Sequence, residues 1–115
     1  MAYARTGEEI RAAIDEMVRR IVERFHPERI ILFGSHARGT AGPDSDVDLL
    51  VVMPVTSKRG LTTEMHLAVG AVGIAKDIIV VTPEEVQKYR DIPGTIVWPA
   101  LHEGRVLYER AERTP

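Results

Sequence analysis

The chain has 115 residues, 44% hydrophobic and 28% charged, the balance of a soluble globular domain and not of a disordered tail or fibrous repeat. A formal net charge of -2 and a pI near 6.1 argue against a direct nucleic-acid binder, which needs a basic face. The absence of cysteine excludes a disulfide framework, a thiolate zinc site and a cysteine nucleophile, and no apolar run approaches a membrane span. The size predicts a single domain over residues 1–115. Glu8 and Glu9 come early and no apolar signal core accompanies them, which predicts a cytoplasmic protein.

Ile10, Ala13, Ile14, Met17, Val18, Ile21, Val22 and Phe25 recur at steps of three and four, the apolar stripe of an amphipathic helix. Thr6 followed by Glu9 predicts a capping box at its start. His26-Pro27 ends it, because the residue before proline is pushed out of helical geometry. Arg29 to Phe33 reads as a short buried strand closed by Gly34, and Ser35 to Arg38 as one turn of helix. Thr40 to Ser45 is a turn by composition, with Asp44 as an Asx-type turn residue. Asp46 to Met53 is a second strand, apolar on both faces beyond Asp48 and stopped by Pro54.

Lys58 and Arg59 fall in a solvated loop, and Leu61 to Val72 is a weaker helix loosened by Gly70. Lys76 to Val81 is a third strand, and Pro83 to Tyr89 a short helix with Thr82 as N-cap. Ile96 to His102 is a last helical stretch with Gly104 as its C-cap, and Arg105 to Tyr108 an edge strand. This order predicts an α/β (α+β) fold, a small mixed sheet flanked by helices. The sheet is mixed because its second strand follows the first by a short connection.

The chemistry lies in Ile30-Ile-Leu-Phe-Gly-Ser-His-Ala-Arg-Gly39 and in Pro43-Asp-Ser-Asp-Val-Asp-Leu-Leu-Val51. On a strand, Asp46 and Asp48 share one face about 6.5 Å apart at the backbone. Two like charges there are unfavourable unless a cation sits between them, and carboxylates suit Mg²⁺, which takes one or two of them plus substrate phosphates. Gly34 lets a ligand approach the backbone, the helix start behind it favours a phosphate, Ser35 adds a hydroxyl and Arg38 a positive charge. Two rival motifs fail. A P-loop would need lysine and serine or threonine where Thr40 and Ala41 stand. An EF-hand would need glycine at Leu49 and glutamate at Val55. The four histidines show no metal spacing; His36 reads as a surface or core-edge residue.

Gly34-Ser35, ten residues, then Asp46-x-Asp48 resembles the signature of the DNA polymerase beta-like nucleotidyltransferase superfamily. The fuller string G-S-x-A-R-G, then S-D-x-D-L, is similar to its minimal nucleotidyltransferase branch, the antitoxin partners of HEPN toxins. The resemblance implies metal ligation by Asp46 and Asp48 and nucleotide binding by Gly34 and Ser35; Arg38, read from its place at the helix end, either neutralises phosphate or holds the fold. The resemblance also implies a third carboxylate at the start of a later strand. Asp77, before Ile78-Ile-Val-Val, is the match, as metal ligand and proton acceptor.

The activity implied by the resemblance is a metal-dependent transfer of a nucleoside monophosphate, AMP from ATP or another NTP, with two Mg²⁺ ions. The implied acceptor is a tyrosine of a helical HEPN-domain toxin, and a homo- or hetero-oligomer is compatible with that. Two rivals stay open: a binding module that neutralises a toxin by contact, and a small-molecule transferase like those for aminoglycosides. The second would need an acceptor domain for which 115 residues leave no room.

Overall fold

Thr6 and Glu9 close the reciprocal cap that their spacing predicts, each side chain accepting the other's backbone N–H at 3.1 Å. In the computed structural model, which describes residues 6–42 and 45–111, this cap opens α1, Gly7–Phe25. Asp44, read as a turn residue, lies outside the described residues. α1 ends at His26, which turns left-handed (φ 51°) ahead of Pro27. After it come β1 (Arg29–Phe33), α2 (Ser35–Arg38), β2 (Val47–Val52), α3 (Lys58–Val69), β3 (Lys76–Val81), α4 (Pro83–Tyr89), α5 (Val97–Glu103) and β4 (Arg105–Glu109).

The four strands form one sheet in the order β3-β2-β1-β4. β1 runs antiparallel to both its neighbours, while β2 and β3 are parallel, as a strand pair bridged by a helix must be. The mixed sheet is the one expected. Because side chains alternate, Ile30, Leu32, Leu49, Val51, Ile78 and Val80 pack against α1 and α3. Ile31, Phe33, Leu50, Val52 and Val81 pack on the other side with Val86 of α4 and with Val97 and Ala100 of α5. Both faces are covered, which is why β1 and β2 read as unbroken apolar runs.

Three details depart from expectation. Asp46 precedes β2 instead of opening it. α3 starts a turn early, at Lys58, because Ser57 serves as its N-cap, and it stops at Gly70, whose φ of 64° suits glycine. Lys58 is therefore a helix residue, not a loop residue, and it pairs with Glu85 of α4 at 2.5 Å. That hydrogen bond, helped by the Thr82 backbone, holds the Glu85 carboxyl below its usual range. Since α3 begins where β2 ends, Lys58 and Arg59 stand at the end of the sheet away from Asp46 and Asp48.

The third departure is Gly104. It caps α5 as expected, but with extended backbone (φ -82°, ψ 173°), not in a left-handed turn. Glycine is needed there for space: a Cβ would overlap the Ala100 carbonyl and meet Ile31 Cγ2 at 2.7 Å and the Leu32 carbonyl at 2.8 Å. Two of those three obstacles are backbone and cannot swing aside. Gly104→Ala is therefore expected to lower stability by about 3 kcal/mol, the upper part of the usual overpacking range. Urea unfolding of the two proteins measures it.

Candidate active site

The strand register builds the site. Phe33, at the end of β1, lies opposite Asp48 of β2, and Asp77 of β3 lies beside Asp48 on the other flank. One row thus crosses the sheet, with neighbouring strands about 4.8 Å apart. Alternation puts Asp48 on the same face as Leu50 and Val52, and Asp77 on the same face as Ile79 and Val81. Both carboxylates consequently rise from the face that α4 and α5 cover. Asp46 sits one residue before β2; it and Asp77 are exposed, and Asp48 is half-buried.

Behind this row stands the turn after β1. Gly34 has φ 76°, and its carbonyl accepts from the N–H groups of Ala37 and Arg38 at 3.1 Å, which starts α2. A Cβ on Gly34 would overlap Oδ2 of Asp48 and lie 3.3 Å from its Cγ. Glycine is thus required by backbone conformation and by the carboxylate leaning on it. Ser35 opens α2, half-buried, and its hydroxyl makes no hydrogen bond among the described residues. Arg38 closes α2 and stands 4.0 Å from Glu103 of α5, with both side chains about half exposed.

The electrostatics match the geometry. Burial pushes the Asp48 carboxyl up, the neighbouring charges of Asp77 and then Asp46 push the same way, and His36 and Arg38 draw it partly back. None of the three aspartates has an ion-pair partner among the described residues. No three His, Asp or Glu side chains among the described residues converge into a complete metal cage. This donor set fits a hard cation that takes the rest of its ligands from phosphate, the usual arrangement for Mg²⁺. A polar cleft of about 1330 Å³, lined by Glu28, Arg29, Pro83 and Glu109 among others, opens at the opposite end of the sheet. The row of acids, not that hollow, is the candidate site.

Asp48 should therefore cost the metal-free fold stability. Folding raises its pKa, so the folded chain takes up the proton more readily than the unfolded one. The penalty is present near neutral pH and fades as the pH falls through the raised value. Asp48→Asn is expected to stabilise the metal-free protein near neutral pH by about 0.5–1 kcal/mol, a low figure because water screens a half-exposed group. The gain should shrink in acid, as thermal melting at the two conditions would show.

Gly34, Ser35, Asp46, Asp48 and Asp77 are thus gathered at one end of the sheet. Arg38 is close enough for its charge to act on Asp48 but is shared with Glu103. His36 is the residue that sequence reasoning misses. Its Nε2 lies 3.1 Å from the carbonyl of Ser45, and its charge too acts on Asp48. No spacing rule signals such a contact, because it depends on how the loop after α2 returns.

Residues 14–112 match the family described as the nucleotidyltransferase domain. A protein of Methanocaldococcus jannaschii named a putative protein adenylyltransferase is 36% identical over 100 residues, 84% of this chain and 95% of that one. A second protein of that organism, with the same description, is 48% identical over 48 residues, 40% of this chain and only 33% of that protein. Of the solved structures, a putative nucleotidyltransferase from Sulfolobus solfataricus shares 19% identity and a TM-score of 0.60, over 92% of this chain and 91% of that one. A toxin–antitoxin structure with AMP-PNP shares 17% identity and a TM-score of 0.54, over 84% of this chain and 73% of that one. The two structures speak for the fold alone. The family match runs from within α1 to beyond β4 and takes in every element that carries the acids: the chain belongs to the nucleotidyltransferase domain family and is a nucleotidyltransferase.

Proposed function

We propose that the chain moves AMP from ATP to a tyrosine hydroxyl of a helical HEPN-type toxin and so acts as its antitoxin. The observation that carries this reading is the half-buried Asp48 carboxylate, pressed against Gly34 and flanked by Asp77 and Asp46 with no paired cation among the described residues. The description of both M. jannaschii relatives as putative protein adenylyltransferases supports a protein acceptor. The toxin–antitoxin neighbour with AMP-PNP, a likeness of fold, is in keeping with a toxin as partner and an adenine nucleotide as donor.

Asp46 and Asp48 would hold Mg²⁺, two ions with help from Asp77. When bound, the metal supplies charge neutralisation at the phosphates. Gly34 and Ser35 receive the phosphate chain: Gly34 has no side chain to bar it, and the unengaged Ser35 hydroxyl is free to donate. Arg38 adds positive charge at the edge. Asp77 accepts the proton of the attacking hydroxyl as its oxygen bonds to the α-phosphorus. The bond from that phosphorus to the β-bridging oxygen breaks, and pyrophosphate leaves. Orientation and fixed charge do most of the work.

The test is intact-mass spectrometry of a HEPN partner encoded beside this chain, after incubation with each NTP in turn and Mg²⁺. An adenylyl adduct on a tyrosine is the expected result. A partner that is bound and silenced without any adduct would replace this account with neutralisation by contact.

A further inference from the structure

Asp46 lies outside β2, so strand pairing does not hold its own backbone. Its neighbours are held instead. On one side, the Val47 N–H donates to the Ala75 carbonyl at 2.9 Å, which ties it to the start of β3. On the other, Ser45 is bonded three times. Its N–H donates to the Gly42 carbonyl at 3.1 Å, its hydroxyl accepts from the Gly42 N–H at 2.8 Å, and its carbonyl lies 3.1 Å from Nε2 of His36.

The two Gly42 bonds only fold the turn onto itself. The His36 bond joins it to α2. Since a carbonyl can only accept, Nε2–H is the donor, a role open to one neutral tautomer and to the imidazolium alike. The peptide between Ser45 and Asp46 is planar, so fixing the Ser45 carbonyl fixes the plane from which Asp46 departs. Two residues before His36 stands Gly34, the N-cap of α2, whose backbone backs the Asp48 carboxylate. One four-residue helix therefore reaches toward both acids of the Asp46-x-Asp48 pair.

We propose that His36 is a positioning residue for nucleotidyl transfer, setting Asp46 against Asp48 through the carbonyl of Ser45. This rests on the reading of those two aspartates as cation ligands. Groups that orient metal ligands typically cost about 10–100-fold in metal affinity when removed.

The experiment titrates Mg²⁺ into the chain of residues 1–115 and follows AMP-PNP binding by calorimetry, so it needs no acceptor and no turnover. His36→Leu should raise the Mg²⁺ concentration for half-maximal binding by about tenfold or more. At saturating Mg²⁺ the AMP-PNP affinity should return close to the parental value. His36→Gln, whose amide N–H can reach the same carbonyl, should keep the parental Mg²⁺ dependence. His36→Asn, too short to reach, should match the leucine variant and serves as the test if leucine prevents folding. A purely structural role would lower the melting temperature in EDTA and leave the Mg²⁺ dependence unmoved. If the leucine and asparagine variants keep the parental Mg²⁺ dependence while Asp46→Asn shifts it, the positioning role is wrong and the cation reading stands. If Asp46→Asn does not shift it either, the cation reading itself has failed.

Discussion

Gly34→Val is expected to abolish nucleotide binding, weakening AMP-PNP by at least about a hundredfold in calorimetry. Two costs combine. A β-branched residue held at positive φ carries about 1–3 kcal/mol of backbone strain. In addition, the new Cβ falls on Oδ2 of Asp48, so the carboxylate must leave its place beside Asp77. A factor of one hundred corresponds to about 2.7 kcal/mol, within reach of the displaced carboxylate together with a strained turn that relaxes out of the geometry receiving the phosphate. The sequence alone suggests that glycine is needed so a phosphate can come close. The structure adds that Asp48 already occupies the space. Gly34→Ala should therefore also bind poorly, although its side chain is the smallest available. A valine variant that stays folded by circular dichroism and binds like the parent would reduce Gly34 to an ordinary turn residue.

Asp77→Asn should separate turnover from binding. Asp77 comes from β3, whereas Asp48 lies on β2 and Asp46 just before it, and Asp77 is exposed, so a bound nucleotide depends on it less than on Asp48. Asparagine keeps the shape and removes the base, which typically costs about 10²–10⁴-fold in the chemical step. Single-turnover adduct formation should fall by that factor while AMP-PNP affinity changes only a few-fold, the mark of a lost transition-state interaction. An adduct formed at the parental rate would mean that another group takes the proton.

The parts of the fold that are written locally can be read without the structure. Thr6 with Glu9 starts α1 as a reciprocal cap and Thr82 caps α4, because each cap forms within one turn; that Glu85 completes the second cap is added by the structure. β1 and β3 appear at their predicted bounds, since short β-branched runs between turn residues have few other uses. The Gly34-Ser35 and Asp46-x-Asp48 motifs mark a site that the register then assembles, with Asp77 brought in by the parallel pairing of β2 and β3.

The features hidden from the sequence depend on returns of the chain over longer distances. The space limit at Gly104 comes from Ile31 and Leu32 of β1, more than seventy residues earlier. The partner of Lys58 lies on α4, and the role of His36 depends on a loop that comes back to meet it. The place of Asp46 outside β2 has the same origin, because pairing with β3 begins only at Val47 while Ser45 on its other side is tied to His36 of α2.

The most direct test of the account incubates the chain with ATP labelled at the α-phosphate, Mg²⁺ and the proposed HEPN-type partner, and tracks both products. The account predicts that the label moves onto the partner with one pyrophosphate released for each label transferred, and that EDTA or Asp48→Asn stops both. A partner that binds this chain tightly while the label stays in ATP would contradict it.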